Sequence, residues 1–78
     1  GRTGGAALET GKIVAPMPGK IIKLLATDGQ KVQSGDPLVV MEAMKMEYTL
    51  KADREGVAQV CCKEGEQVTL GKVLIQLQ

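Results

Sequence analysis

Lys45 stands between two methionines in the stretch Glu42-Ala43-Met44-Lys45-Met46-Glu47. An accessible amine on a defined geometric site can take a covalent group, and this amine is set off from its neighbours. Apolar, β-prone sequence lies on both sides, Pro37-Leu38-Val39-Val40-Met41 before and Tyr48-Thr49-Leu50 after, so the stretch reads as the tip of a hairpin. Tight hairpin turns favour Asn-Gly, Asp-Gly or a lone Gly, because their central residues need positive φ. The chain has ten glycines and places none here. A tight turn therefore holds one or more of Ala43, Met44, Lys45 and Met46 in a conformation costing roughly 1–3 kcal/mol. Such a tip is one to be recognised. The plain alternative is a solvated turn lysine beside methionines that fill gaps in the core.

Other side chains that could do chemistry are few. The chain has no His, which excludes His-based acid–base chemistry and His-containing metal sites. Cys61 and Cys62 are adjacent; strand neighbours point to opposite faces and do not normally bridge. They read as small strand hydrophobes, and free thiols without framework spacing suit a reducing compartment. No carboxylate pair has a predictable shared site, and the cysteines lack a base, so a stand-alone enzyme is not expected. The formal charge is +1 with signs interspersed, and Tyr48 is the one aromatic residue. A basic face or stacking platform for nucleic acid is missing. No apolar run approaches the length of a membrane span. The expected partners therefore include neither nucleic acid nor membrane.

The elements that must position Lys45 come from an internal repeat. Ala15 and Gly19 match Ala52 and Gly56 at an offset of 37, and Gly29, Val32, Gly35 and Leu38 match Gly65, Val68, Gly71 and Leu74 at an offset of 36. The slip between Gly19 and Gly29 is expected as a bulge or shortened loop in the second copy. Each copy holds short strands separated by turns closed with glycine, over Ile13–Ala15, Lys20–Ala26, Val32 and Leu38–Glu42, then Leu50–Ala52, Val57–Lys63, Val68 and Val73–Leu77. That grammar predicts an all-β sandwich or barrel with next to no helix. Gly19, Gly29, Gly35, Gly56, Gly65 and Gly71 are expected where φ is positive. Residues 1–11 read as a flexible linker or an appended remnant, and residues 12–78 as the folded domain. The repeat relates the tip at 43–48 to the gap between the chain ends, so a pseudo-twofold axis puts the tether at one end and Lys45 at the other. That arrangement describes a carrier.

Glu42-Ala43-Met44-Lys45-Met46-Glu47, preceded by Ala15-Pro16-Met17-Pro18-Gly19 and followed by the Gly-x-x-Val-x-x-Gly turn at Gly65–Gly71, resembles the biotinyl domain (biotin carboxyl carrier domain) of biotin-dependent carboxylases and transcarboxylases. The likeness covers about Lys12 to Leu77. It implies a flattened barrel of two four-stranded antiparallel sheets. It further implies that Lys45 is biotinylated by biotin protein ligase, with Ala43, Met44 and Met46 as the recognition motif. Lys12, Lys20, Lys23, Lys31, Lys51, Lys63 and Lys72 lack those flanks. Glu42 and Glu47 either add to ligase docking or balance Lys45. The implied arm of covalent biotin carries carboxyl from a biotin carboxylase site to a carboxyltransferase site, and the domain itself is non-catalytic. Some bacterial acetyl-CoA carboxylase carriers have an extra thumb in the first repeat; Gly19 to Gly35 leaves no room for one. That points to the thumbless carriers of acyl-CoA carboxylases, transcarboxylase or pyruvate carboxylase, with an acyl-CoA carboxylase of propionyl or methylcrotonyl type as the expected parent. The expected compartment is the cytoplasm, or the mitochondrial matrix in a eukaryote. Two rivals remain. A lipoyl domain of a 2-oxoacid dehydrogenase complex shares the fold and the hairpin lysine but usually has an acidic residue before it and a small one after. An unmodified β-sandwich interaction module would make Lys45 an ordinary surface residue.

Overall fold

The structure is a computed structural model that describes residues 11–78. Eight strands follow in order: β1 Lys12–Val14, β2 Gly19–Leu24, β3 Lys31–Val32, β4 Pro37–Ala43, β5 Met46–Lys51, β6 Gly56–Val60, β7 Gln67–Val68 and β8 Val73–Leu77. Among the described residues there is no helix, as the missing 3.6-residue periodicity requires. Two four-stranded sheets form, ordered β1-β8-β6-β3 and β5-β4-β2-β7, with every pairing antiparallel. Moving each strand to its repeat mate converts one sheet into the other. The pseudo-twofold expected from the repeat is therefore present.

Each sheet takes strands from both copies, so neither copy can close its hydrogen bonding alone. Gly29 N–H donates to the Ala58 carbonyl and, by symmetry, Gly65 N–H donates to that of Ile21, both at 2.7 Å. Gly35 and Gly71 likewise donate to Ala52 and Ala15 at 2.8 Å. Side chains repeat the exchange: Asp28 Oδ1 accepts from Val60 N–H at 2.8 Å, and Glu64 Oε2 accepts from Leu24 N–H at 3.0 Å. These bonds satisfy backbone groups that the short strands would leave exposed. Between the sheets, alternating side chains make one core in which Ile21, Val32, Leu38, Val39, Met41, Leu74 and Ile75 are fully buried. Aliphatic residues, Met41 and Cys62 fill it, since the chain has no Phe or Trp.

Two expectations need correction. The extra residue is a bulge in the first copy, not a bulge or shortened loop in the second. Ile21 pairs with Met41 and Lys23 with Val40, leaving Ile22 without a partner, whereas Ala58, Gln59 and Val60 pair with Leu77, Gln76 and Ile75 without a break. Of the six glycines, Gly29, Gly35, Gly65 and Gly71 do have positive φ, but Gly19 and Gly56 do not. Gly19 is needed for close approach instead: a Cβ there would run into the Glu42 carbonyl oxygen and lie 2.7 Å from Met41 Cε. The linker expected over residues 1–11 falls outside the described residues except at Gly11. That residue is built into the barrel, its carbonyl accepting Leu77 N–H at 2.6 Å. The two ends of the described chain thus meet, and the pseudo-twofold carries their junction onto the β4–β5 tip.

Candidate functional site

β4 and β5 pair without interruption from Val39↔Leu50 up to Ala43↔Met46. The loop is therefore two residues, Met44 and Lys45, shorter than the 43–48 tip read from the sequence. Both have positive φ, 54° and 66°, the requirement of a type I′ turn, whose twist matches that of the strands. An L-residue in this region costs roughly 1–2 kcal/mol. Register explains why the cost is met: five cross-strand pairs below the turn hold it closed.

The turn turns its side chains outward. Met44 is 83% exposed and Met46 59%. Lys45 is exposed too, and among the described residues its amine has no ion-pair partner; ion pairs form elsewhere, at Lys31–Glu55 and Lys72–Glu66. Ala43 alone of the four motif residues is buried. It closes the top of the core, 3.1 Å from where a Cβ of Gly19 would stand. The four residues of the motif are thus brought together, with one facing in and three facing out. Below them Glu42 and Glu47 are direct cross-strand partners, and Lys20 faces Glu42 from the other side. Like charges placed opposite each other repel, so these carboxylates stand in solvent rather than closing over Lys45.

Three supporting features escape a sequence reading. Gly19 fixes how closely β2 lies under the tip; its repeat mate Gly56 was the signal, though it pointed to φ rather than to contact. Tyr48 directs its hydroxyl toward Met46 Sδ at 3.8 Å, tethering one of the two methionines. An open groove of about 410 Å³ runs beside Lys45, between Pro18–Gly19–Lys20, Met44 and Gln67; it depends on β7 pairing with β2 across the repeat. The cysteines lie elsewhere. Both are free, Cys61 exposed and Cys62 buried; they face opposite ways as expected, but they follow the end of β6 at Val60 rather than lying in a strand that runs to Lys63. Burial pushes the Cys62 thiol pKa up, with Glu66 adding to the rise and Lys72 opposing it.

A family model described as biotin-requiring enzyme matches residues 11–77. The chain belongs to this biotin-requiring family. Relatives include pyruvate carboxylase of Bacillus subtilis (strain 168), 46% identical over 85% of this chain, and the alpha subunit of mitochondrial methylcrotonoyl-CoA carboxylase of Arabidopsis thaliana, 44% identical over 87%. The chain spans only 6% and 9% of those two proteins. The biotin carboxyl carrier protein of acetyl-CoA carboxylase of Solanum lycopersicum is 46% identical over 87% of this chain, which covers 99% of it. Among solved structures, a single-chain, multi-domain long-chain acyl-CoA carboxylase superposes with a TM-score of 0.76 at 29% identity, over 86% of this chain and 7% of that one. The lipoyl domain of the 2-oxoglutarate dehydrogenase complex of Azotobacter vinelandii superposes with a TM-score of 0.71 at 21% identity, over 85% of this chain and 95% of that one. That likeness is one of fold.

Biotin is the cofactor of the family, and the residues present fit a covalently held group. An exposed amine without an ion-pair partner sits on a two-residue turn whose geometry the sheet enforces. Nothing in the core depends on the lysine side chain.

Proposed function

We propose that the chain is a biotin carboxyl carrier domain, with Lys45 the residue that takes biotin, in a biotin-dependent acyl-CoA carboxylase. The observation that carries this is the Met44–Lys45 turn, held in positive φ where glycine would be less strained. A strained, fully presented lysine is what a modifying enzyme needs to single out one amine among eight lysines. Deprotonated Lys45 Nζ attacks the biotin carboxyl group, activated by the ligase and ATP as the acyl-adenylate. The amide forms with release of AMP and a proton, and the lysine loses its charge. Met44 and Met46 give the rim a polarizable, flexible surface suited to docking on more than one active site. Ala43 anchors the hairpin in the core, so the tip keeps its orientation while the arm moves. When bound, biotin supplies the group that carries carboxyl; the domain supplies reach and a high effective concentration. In this reading catalysis belongs to the biotin carboxylase and carboxyltransferase parts that the carrier visits, and biotin protein ligase attaches the cofactor. The acyl-CoA assignment is supported by relatives named as methylcrotonoyl-CoA, acyl-CoA and acetyl-CoA carboxylases.

The test is intact mass after incubation with biotin protein ligase, biotin and ATP, followed by peptide mapping. One biotinyl group on Lys45 is expected. Its absence, with lipoate taken up instead under a lipoate ligase, would replace this reading with the lipoyl one.

A further inference from the structure

The pseudo-twofold supplies an internal control: the sheet that bears Lys45 can be compared with its mate, position by position, on the outer face. In the centre of the Lys45 sheet, Val40 is flanked by Thr49 on β5 and Lys23 on β2. The equivalent row of the other sheet is Gln76, Lys12 and Gln59. The bulge adds Ile22 beside Val40, and Ile22 has no counterpart. One step further from the tip, Leu25 continues the pairing through its N–H bond to the Leu38 carbonyl at 2.8 Å. With Leu24 packed on the core and Ala26 buried, strand alternation points Leu25 outward. Its repeat mate is the exposed Cys61. Ile22 and Leu25 are each 39% exposed, and Val40 is half-buried between them. Lys20, Lys23 and Lys51 flank this strip, all exposed, and the exposed Glu42–Glu47 pair lies between it and the tip, with Lys20 beside Glu42. A contiguous aliphatic strip thus crosses the middle of one sheet. On the other, glutamines take the central place and the exposed Val14 and Val57 stand apart on β1 and β6, with β8 between them.

We propose that this outer face, centred on Ile22, Val40 and Leu25, is the docking surface for biotin protein ligase, which meets it with aliphatic side chains flanked by carboxylates. The proposal rests on the reading of Lys45 as the biotinylated residue. Reach favours the ligase over the carboxylase parts as occupant. The bare lysine extends only about 6 Å from its Cα by bond geometry, and the turn protrudes by two residues, so the enzyme that modifies it must lie against the adjoining strands. A carboxylase site meets the same tip with the longer, loaded arm and can stand further off. Size agrees as well. A standard interface covers about 800 Å² per partner, which as a disc is about 32 Å across. Leu38, level with Leu25, lies seven residues along the strand from Lys45, about 23 Å away, so a footprint starting at the tip takes in the whole strip. Lys23 and Lys51, beyond the Glu42–Glu47 pair, call for carboxylates on the partner where it covers the strip.

The experiment is steady-state biotinylation of the full chain by a purified biotin protein ligase, with kcat and KM for the chain measured at low and high salt. Ile22→Gln combined with Leu25→Gln should raise KM at least tenfold with kcat within twofold. Lys20→Glu combined with Lys23→Glu should raise KM similarly at low salt and flatten or reverse its salt dependence. Val57→Gln and Cys61→Gln, on the other sheet, should leave both constants unchanged. Thermal melts separate a docking defect from misfolding, and the charge variants stand as the test if the apolar pair melts early. KM within twofold of the parent for both outer-face pairs overturns the proposal. So does a parent dimer that the Ile22/Leu25 variant dissociates without a change in KM, since the face would then serve self-association. Failure of the parent to gain biotin on Lys45 is a separate result and removes the functional reading beneath it.

Discussion

Replacing Met44-Lys45 with Asn-Gly should make the protein more stable while removing the proposed modification site. Both residues occupy the left-handed region, at φ 54° and 66°, where an L side chain costs roughly 1–2 kcal/mol. Glycine in place of Lys45 removes most of that cost, against roughly 0.5–1 kcal/mol of extra chain entropy lost on folding. Asparagine in place of Met44 keeps a side chain but tolerates the region better. Packing offers no counterweight, because Met44 is 83% exposed and Lys45 lies in solvent. The net gain is about 1–2 kcal/mol for the pair, which for a domain of this size corresponds to a rise in Tm of about 5–12 °C. Thermal unfolding followed by far-ultraviolet circular dichroism, with urea melts at 25 °C, measures it. An unchanged or lower Tm would refute the reasoning, since it would mean that the turn is relaxed with Met and Lys in place. A gain together with complete loss of biotin uptake would place the strain at the functional residues themselves.

Lys45→Arg should fold and melt with the parent, within about 0.5 kcal/mol as for an exposed substitution, yet take up no biotin by intact mass; loss of folding would make the lysine structural. Gly19→Ala should cost about 3 kcal/mol or more in urea denaturation, because the new methyl meets the Glu42 carbonyl and Met41 Cε. Gly29→Ala, with open space around it but φ of 87°, should cost only about 1–2 kcal/mol; equal costs at the two sites would contradict the distinction between contact and conformation. The Cys62 thiol has its pKa raised by burial from 9.0, so the unfolded chain ionises first as pH rises. Its neutral form therefore contributes stability fully below about pH 9, and that contribution is lost as pH climbs through the folded value. Urea midpoints at pH 8 and 10.5 should fall less for Cys62→Val than for the parent, and at pH 8 a thiol reagent should label Cys61 well before Cys62.

The sequence by itself determined the kind of fold and the repeat, and it singled out the residue at the centre of the candidate site. Glycine and aliphatic spacing in two copies required short strands and tight turns. Those signals are local: period-two burial and turn chemistry act within a few residues and leave their mark on the chain. Lys45 was legible for the same reason, as a glycine-free turn between two β-prone runs. Tertiary structure alone decided matters of register. It narrowed the tip to Met44 and Lys45, because the length of the β4–β5 ladder fixes which residues are left over. It moved the bulge to Ile22, since an offset between two copies does not say which of them gained a residue. It gave Gly19 its role through contact with a strand some twenty residues away, which no single-residue preference encodes. The outer face formed by Ile22, Val40 and Leu25 is likewise a product of pairing. Which side chains share a face across strands depends on alignment between distant segments, and that alignment is set when the two copies interlock.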